Sequence, residues 1–420
     1  IASFLKGHGY HTACIGKWHL GMDWVVKDGK KVAELSIESV DQVHNVFYDK
    51  PTTNGPNAVG FDWYYGISAS LDMVPYTFIE NDHCAVAPTV DKAFAMMFGR
   101  EGQRTRKGPA APDFDAADVL PRLTEKAVES IRRRAKAAKS GEAPFFLYLP
   151  LASPHTPILP TAAWQRKSGL NPYGDFVMET DAAIGRVIDA LEENGLTNDT
   201  LIVVTSDNGC SPMAKFDELL AKGHDPSAAF RGHKADIFEG GHRVPFLVKW
   251  PGRVKPGSRC SATIWLGDFF ATCADILGES LPDAAGEDSV SLLPLLDGKA
   301  KSLPTRAGVV HHSINGSFAV RSGEWKLIFA PDSGGWSAPR PGQGKAGELP
   351  PLQLYDLTSD VGETRNVQDQ HPEVVTRLTA LMEKYVAEGR STPCKPQANT
   401  TPVDLWRGGK PAKNPATGPK

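Results

Sequence analysis

Apolar residues recur at helical spacing over Val119 to Lys139, where Val119, Leu123, Ala127 and Ile131 fall on one face. A second such pattern runs from Tyr173 to Asn194, with Val177, Ile184, Val187, Ile188 and Leu191, and Gly195 closes it. Leu266 to Leu277 reads as a third helix. Between and around these lie short continuous apolar runs, Pro144 to Leu149, Thr200 to Thr205 and Pro245 to Trp250, which have the length and character of buried strands. The chain opens on a short helical pattern around Phe4, and a strand-like run then leads to Gly16 and Lys17. The alternation predicts an α/β fold, with a mostly parallel central sheet sandwiched by helices.

Near residue 300 the pattern changes. Gly308–His311, Phe318–Arg321, Trp325–Phe329 and Gln353–Asp356 are short runs separated by turn residues such as Ser322-Gly323. They predict a smaller C-terminal antiparallel sheet, followed by a helix over Pro372 to Val386 with Val375, Leu378, Leu381 and Tyr385 on one face. Asp332 to Pro351 is a Pro/Gly/Ser-rich loop, and the stretch beyond Pro393 is rich in Pro, Gly, Lys and Thr. The division expected is a catalytic α/β domain over 1–300, a small α+β subdomain over 301–390 and a poorly ordered tail over 391–420.

Composition narrows the function classes without choosing one. The 420 residues carry a net charge of −3, which gives no electrostatic footprint for nucleic acid, and no run reaches membrane-spanning length. The basic run Arg132-Arg133-Arg134 lies in a helical pattern and reads as a helix face rather than a nucleic-acid patch. The six cysteines lack paired zinc spacing, and their even number permits disulfides without requiring them. Oligomeric state is not legible.

Candidate chemistry clusters at the ends of the apolar runs, where ligands of parallel α/β sheets bind. In Gly16-Lys17-Trp18-His19-Leu20-Gly21, Lys17 and His19 are two apart on a strand and share a face, which sets a fixed positive charge beside an imidazole. Pro154-His155-Thr156-Pro157 holds His155 on a proline-stiffened turn, as a general acid or base would be. Asp207 and Asn208 follow the second apolar run and offer the oxygen donors that a hard cation prefers. Lys234 could set an ammonium against an anionic substrate or leaving oxygen. Each also has a plain structural reading: a strand end, a turn histidine, an Asp-Asn-Gly turn, a surface lysine. Arg231, His233 and His242 read as supporting hydrogen-bonding groups.

Taken in order, these motifs resemble the sulfatases of the arylsulfatase type, within the alkaline-phosphatase-like superfamily. The resemblance extends from Ile1 to Val386 and also takes in Gly60-Phe61-Asp62, Glu239-Gly240-Gly241, Asp288-Ser289-Val290-Ser291-Leu292, Leu354-Tyr355-Asp356-Leu357 and Glu363-Thr364-Arg365-Asn366. It implies that Lys17 and His19 face the sulfate group and its nucleophile. It also implies that His155 and Lys234 lie near the ester and leaving oxygen, and that Asp207 and Asn208 are ligands of one Ca²⁺ ion. The implied substrate is a small-molecule or carbohydrate sulfate ester, and the implied location periplasmic or secreted.

The resemblance further implies a formylglycine nucleophile, made from the first residue of a Cys/Ser-x-Pro-x-Arg motif upstream of Gly16, and an early Asp-Asp calcium pair. Residues 1–15 hold neither, and Cys394-Lys395-Pro396-Gln397-Ala398 lacks the arginine. The chain also starts at Ile1, inside a helical pattern, so it is expected to lack its amino-terminal part, to bind calcium poorly and not to turn over sulfate esters by itself. The alternatives are a phosphomonoester or phosphodiester hydrolase of the same superfamily and a non-catalytic binder of sulfated glycans. Insertions at Asp23–Pro56 and Leu71–Ala111, with Trp24, Tyr48, Tyr76 and His83, are expected to set specificity.

Overall fold

The computed structural model describes residues 1–27, 42–303, 305–343 and 348–406. They form two compact units, Ile1–Thr200 with Asp217–Lys222, and Leu201–Phe216 with Gly223–Lys420.

In the first unit, helix α1 (Ala2–Gly7) leads into β1 (His11–Lys17), followed by β2 (Trp63–Ile67), β3 (Ile79–Glu80) and β4 (His83–Cys84). Two small nested pairs come next, β5 (Val90–Lys92) with β8 (Gly108–Ala110) and β6 (Ala95–Met97) with β7 (Arg100–Arg104). Helix α2 (Val119–Ser140), β9 (Phe145–Tyr148) and helix α3 (Pro172–Glu193) complete the run, and most of α4 (Phe216–Leu220) belongs here as well. The sheet order is β4-β3-β2-β1-β9. β1 is parallel to β2 and β9, but β2–β3 and β3–β4 are antiparallel, so the central sheet is mixed rather than mostly parallel. The Asn81-Asp82 turn between β3 and β4 is too short for a parallel crossover.

All four residues predicted for the inner face of α2 are buried, and Gly141 ends the helix in the left-handed conformation. The basic edge of α2 is occupied. Arg122, Lys126 and Arg133 lie over the rings of Phe78, Tyr65 and Trp63, and Arg132 pairs with Glu193. Helix α3 starts where the Asn171 side chain accepts from the Tyr173 and Gly174 amides, with Pro172 at the first helical position.

The stretch 71–111 differs from its sequence reading. Leu71, Val74, Tyr76, Phe78 and Ala110 pack with Ile15, Ile67 and Leu123 in the main core of this unit. Tyr76 is 1% exposed and donates to Thr105 Oγ1 at 2.8 Å, so it is a core residue and not a substrate contact. His83 is exposed beside Asp82, and Trp24 packs edge-on against Tyr48. Within the other expected insertion, residues 28–41 lie outside the described residues.

The second unit contains β10 (Ile202–Thr205), the single-turn helix α5 (Glu239–His242), β11 (Phe246–Lys249), α6 (Asp268–Ile276) and α7 (Leu293–Leu296). β10 and β11 pair antiparallel, where the sequence pattern suggests parallel strands. Continuous apolarity reports that a strand is covered, not which way its neighbour runs. β12 (Val309–His312), β13 (Phe318–Ser322), β14 (Trp325–Ile328) and β15 (Gln353–Asp356) form the expected antiparallel sheet. Val374, Leu378 and Met382 of α8 (Pro372–Glu388) join Val320, Leu327 and Leu354 in its core. The described part of the expected tail packs as well, for Leu405 lies in this core and Trp406 stands edge-on to Phe329. Residues 407–420 lie outside the described residues.

Candidate active site

The first unit brings Lys17, His19 and His155 to one end of its sheet. Because β1, β2 and β9 run parallel, their carboxyl ends emerge together, with Lys17 in register with Ile67. Beyond the ladder the pairing continues through single bonds: the Lys17 amide donates to Pro150 O at 2.8 Å, Trp18 to Ile67 O at 3.0 Å and His19 to Ser68 O at 3.0 Å. β1 ends at Lys17, and His19, at a φ of 54°, turns the chain out of the sheet, so the two do not share a strand face as their spacing suggests; His19 is exposed while Trp18 is buried against Phe61.

Gly16 is required by contact. It has a φ of 147°, and a Cβ there would sit 2.1 Å from the Pro150 carbonyl oxygen. His155 Nδ1 lies 2.8 Å from Thr156 O and 3.3 Å from Ser70 Oγ. A carbonyl can only accept, so Nδ1 carries a hydrogen and Nε2 is the nitrogen that can exchange a proton with a ligand. Ser68 and Ser70, on the exit from β2, therefore connect the Lys17–His19 strand end to the His155 turn. Sequence reasoning did not single out either serine.

The second unit brings Asp207, Asn208 and Lys234 together by loop packing. The turn after β10 is tied to the 231–241 loop by two backbone bonds, Gly209 N to Gly241 O at 3.0 Å and Lys234 N to Cys210 O at 2.9 Å. A Cβ on Gly209 would sit 1.7 Å from Gly240 O. Asp207 is exposed and Asn208 partly so. Their oxygens suit a hard cation in kind, but calcium takes about six to eight oxygen donors. Among the described residues no cluster of three or more His, Cys, Asp or Glu is placed to hold a metal. The donor chemistry fits calcium, and the donor number is partial.

The neighbours named in the sequence are supports. Arg231 stacks on Phe238 at 3.8 Å and donates to Glu363 O at 2.8 Å, while His233 Nδ1 is 3.0 Å from Lys234 O. His242 packs 4.4 Å from His311, and burial with the nearby Lys326 charge pushes its imidazole down to about 4. Two cavities of about 390 and 430 Å³ in the first unit are lined by other residues, among them Arg166 and Asn171 in one and Asn54 and Asn57 in the other. The chemistry of the strand ends, rather than concavity, marks the site.

One string of the Cys/Ser-x-Pro-x-Arg form does occur within the chain, Ser302-Leu303-Pro304-Thr305-Arg306, and sequence reasoning passed over it. Its arginine is committed elsewhere. Arg306 is buried and grips Asp268 with two bonds of 2.5 and 2.8 Å, and a third goes to Asp288 O. Ser302 is exposed on the segment between α7 and β12, and Pro304 lies outside the described residues.

A family profile described as Sulfatase matches residues 1–279. The N-acetylgalactosamine-6-O-sulfatase of Bacteroides thetaiotaomicron is 31% identical over 417 residues, covering 91% of this chain and 76% of the relative. Human arylsulfatase A is 30% identical over 398 residues, covering 91% and 70%. A solved structure concerned with the metabolism of multiple glycosaminoglycans by Bacteroides thetaiotaomicron superposes with a TM-score of 0.72 at 30% identity, covering 91% of this chain and 81% of that one.

Proposed function

This chain belongs to the sulfatase family of hydrolases, and on that premise we propose that it cleaves sulfate esters of aryl or carbohydrate substrates. Lys17, His19, His155 and Lys234 act around the ester in this reading, and Asp207 and Asn208 bind calcium. The observation that carries it is the meeting of Lys17, His19 and His155 at the carboxyl ends of parallel strands, joined through Ser68 and Ser70.

A formylglycine hydrate would supply the oxygen nucleophile, and the rest of the chemistry is asked of these side chains. Lys17 and Lys234 offset negative charge on the transferring group, a role worth about 10²–10³-fold per donor in comparable sites. His155 holds its ring through Nδ1 and presents Nε2 to the departing alkoxide, which must gain a proton. Asp207 and Asn208 would hold the cation that draws charge off the sulfate oxygens. Lysine and imidazole around the anion favour sulfate over phosphate, whose extra charge is met in this superfamily by further metal ions.

The test is turnover by the protein expressed from its whole reading frame in a host that makes formylglycine. Hydrolysis of 4-nitrophenyl sulfate or N-acetylgalactosamine 6-sulfate should exceed that of 4-nitrophenyl phosphate by at least about tenfold, and His155→Ala should lower kcat/KM by about 10²-fold or more. A preference for phosphate would favour the phosphohydrolase reading. Sulfated-sugar binding without turnover would favour a non-catalytic relative. Residues 1–420 alone are expected to bind calcium weakly, because Asp207 and Asn208 supply part of a donor set, and calorimetric titration with CaCl₂ checks this. A periplasmic or secreted location, proposed from the family alone, is checked by cell fractionation.

A further inference from the structure

The loop that carries Lys234 and braces the Asp207-Asn208 turn has almost no regular structure. Its one helical element, α5, is a single turn whose N-cap, Phe238, makes no side-chain capping bond. Helix starts leave unsatisfied amides, and a loop without a ladder must be held by something else. Here the cap comes from far along the chain. Glu363 Oε2 accepts from the Glu239 amide at 2.6 Å, and its other oxygen, Oε1, lies 2.8 Å from Lys326 Nζ. Lys326, fully buried on β14, also reaches Glu239 Oε1 at 3.2 Å, and Arg321 takes Glu239 Oε2 at 2.9 Å.

Glu363 is itself held in a costly state. It is a non-glycine residue at φ 50°, fully buried, with its carbonyl bonded to Arg231 and its turn fixed by Asp360, which accepts from Thr364 and Arg365. Left-handed backbone at such a residue is strained and persists where the surroundings impose it. Burial lifts the Glu363 carboxyl above the usual range despite Lys326, while Lys326 and Arg321 overcome the burial of Glu239 and hold that carboxyl low.

From this cluster the contacts run directly to the candidate site. Gly240 N bonds Arg231 O at 2.7 Å, and Gly240 and Gly241 pack against backbone so closely that no Cβ fits. Gly241 O then receives the Gly209 amide, one residue past Asn208. We propose that Lys326 and Glu363 are positioning residues, which act through Glu239-Gly240-Gly241 to hold the Asp207-Asn208-Gly209 turn and Lys234 in place. The proposal rests on the reading of Asp207, Asn208 and Lys234 as site residues, and its test separates the two.

The amides of Gly209 and Lys234 donate the two bonds that tie turn to loop, so their hydrogen exchange reports the clamp directly. Exchange would be measured on residues 1–420, and kcat/KM on the protein expressed from its whole reading frame, for Lys326→Met, for the isosteric Glu363→Gln, and for the control Arg306→Leu, which breaks a buried ion pair elsewhere in the same unit. Glu363→Gln keeps an acceptor for the Glu239 amide and serves if Lys326→Met does not fold. The expected result is at least tenfold faster exchange at Gly209 and Lys234 in the Lys326 or Glu363 variants, with a fall in kcat larger than any rise in KM. Arg306→Leu, at comparable loss of Tm, should leave those two amides within twofold of the parent. Equal loosening by the control, or no loosening in the Lys326 and Glu363 variants, overturns the proposal. Loosening with unchanged turnover leaves the clamp standing and overturns the assignment of Asp207, Asn208 and Lys234 instead.

Discussion

Both units present polar side chains at a strand end, but they hold them by different physics. In the first, Lys17, His19 and His155 leave a parallel ladder whose backbone bonds run past its end, and the buried carboxylates nearby are satisfied by neutral donors. Asp175 accepts from the Arg166 and Ser168 amides, and Glu179 from the Thr161 amide and hydroxyl. In the second, Asp207, Asn208 and Lys234 sit on loops; buried Asp236 is held by the His233, Trp336 and Ser337 amides, but among the described residues the unit's other three buried carboxylates meet buried cations, Glu239 and Glu363 on Lys326 and Asp268 on Arg306. Amide donors are neutral at every pH, so burying them requires a hydrogen-bond partner but no counter-charge. Buried ions are secure only while both partners are present and charged.

The largest effect should therefore come from removing one buried ion in the second unit. Arg306→Leu strands the Asp268 carboxylate, which is fully buried, and breaking such a pair costs about 3–5 kcal/mol. Urea unfolding should show this loss, and the double variant Arg306→Leu/Asp268→Leu should recover much of it. A single variant as stable as the parent would break the contrast.

Acid should discriminate next. His242 is held neutral by burial and by Lys326, with Glu239 pulling the other way and His312 adding to the lowering. Its imidazole is lowered from 6.5 to about 4, so the unfolded chain takes up a proton that the folded chain refuses. The stability this group contributes is complete above pH 6.5 and is lost as pH falls toward 4, which amounts to about 3 kcal/mol. His311, partly buried beside it, shifts in the same direction. Hydrogen exchange across pH 7 to 4.5 should show the second unit loosening, and His242→Gln should flatten that dependence. If His242→Gln changes nothing, the buried-charge account of this unit is wrong.

The same contrast explains what the sequence could reveal. The strand end at Lys17 and the proline-flanked turn of His155 are local patterns and survive in the fold, whereas His19, read two along the same strand, lies past its end in the left-handed conformation. The β10–β11 direction was not legible, since antiparallel pairing depends on what the strand meets and not on its own apolarity. Tyr76 looked like a surface aromatic in a polar stretch, yet β2 and α2 enclose it in a core formed across long separations. Glu239 and Glu363 stood out as shared family motifs, but their meeting over Lys326 joins segments 124 residues apart in sequence and has no local signal. Gly60-Phe61-Asp62 likewise ties the segment before β2 to its neighbours, with Asp62 paired to Lys6 of α1 and accepting from Thr12 of β1.

A smaller effect tests the strand-built half. Gly16→Ala puts a methyl 2.1 Å from the Pro150 carbonyl oxygen at a φ of 147°, and neither contact can relax without moving β1 from β9. Overpacking of this kind costs about 1–3 kcal/mol. The loss should be the same at pH 7 and pH 5, because the backbone bonds it strains do not titrate. Thermal unfolding at both values checks this, and a pH-dependent loss would mean that buried charge also underlies the first half.

The smallest effect expected is none, and it concerns Ser302. The string Ser302-Leu303-Pro304-Thr305-Arg306 matches the nucleophile motif in letters, but a motif is a hypothesis whose confirmation is its structural context. Its arginine is spent on Asp268 and Asp288 O, deep in the charge-stabilised unit, where it anchors α6 rather than facing a substrate. Ser302→Ala should therefore leave sulfate-ester turnover within about twofold of the parent, as surface substitutions away from special features generally do. Abolished turnover, together with an aldehyde at residue 302 detected by hydrazide labelling and mass spectrometry, would move the nucleophile into the second unit. The strand-held wall of Lys17, His19 and His155 would then need a different role.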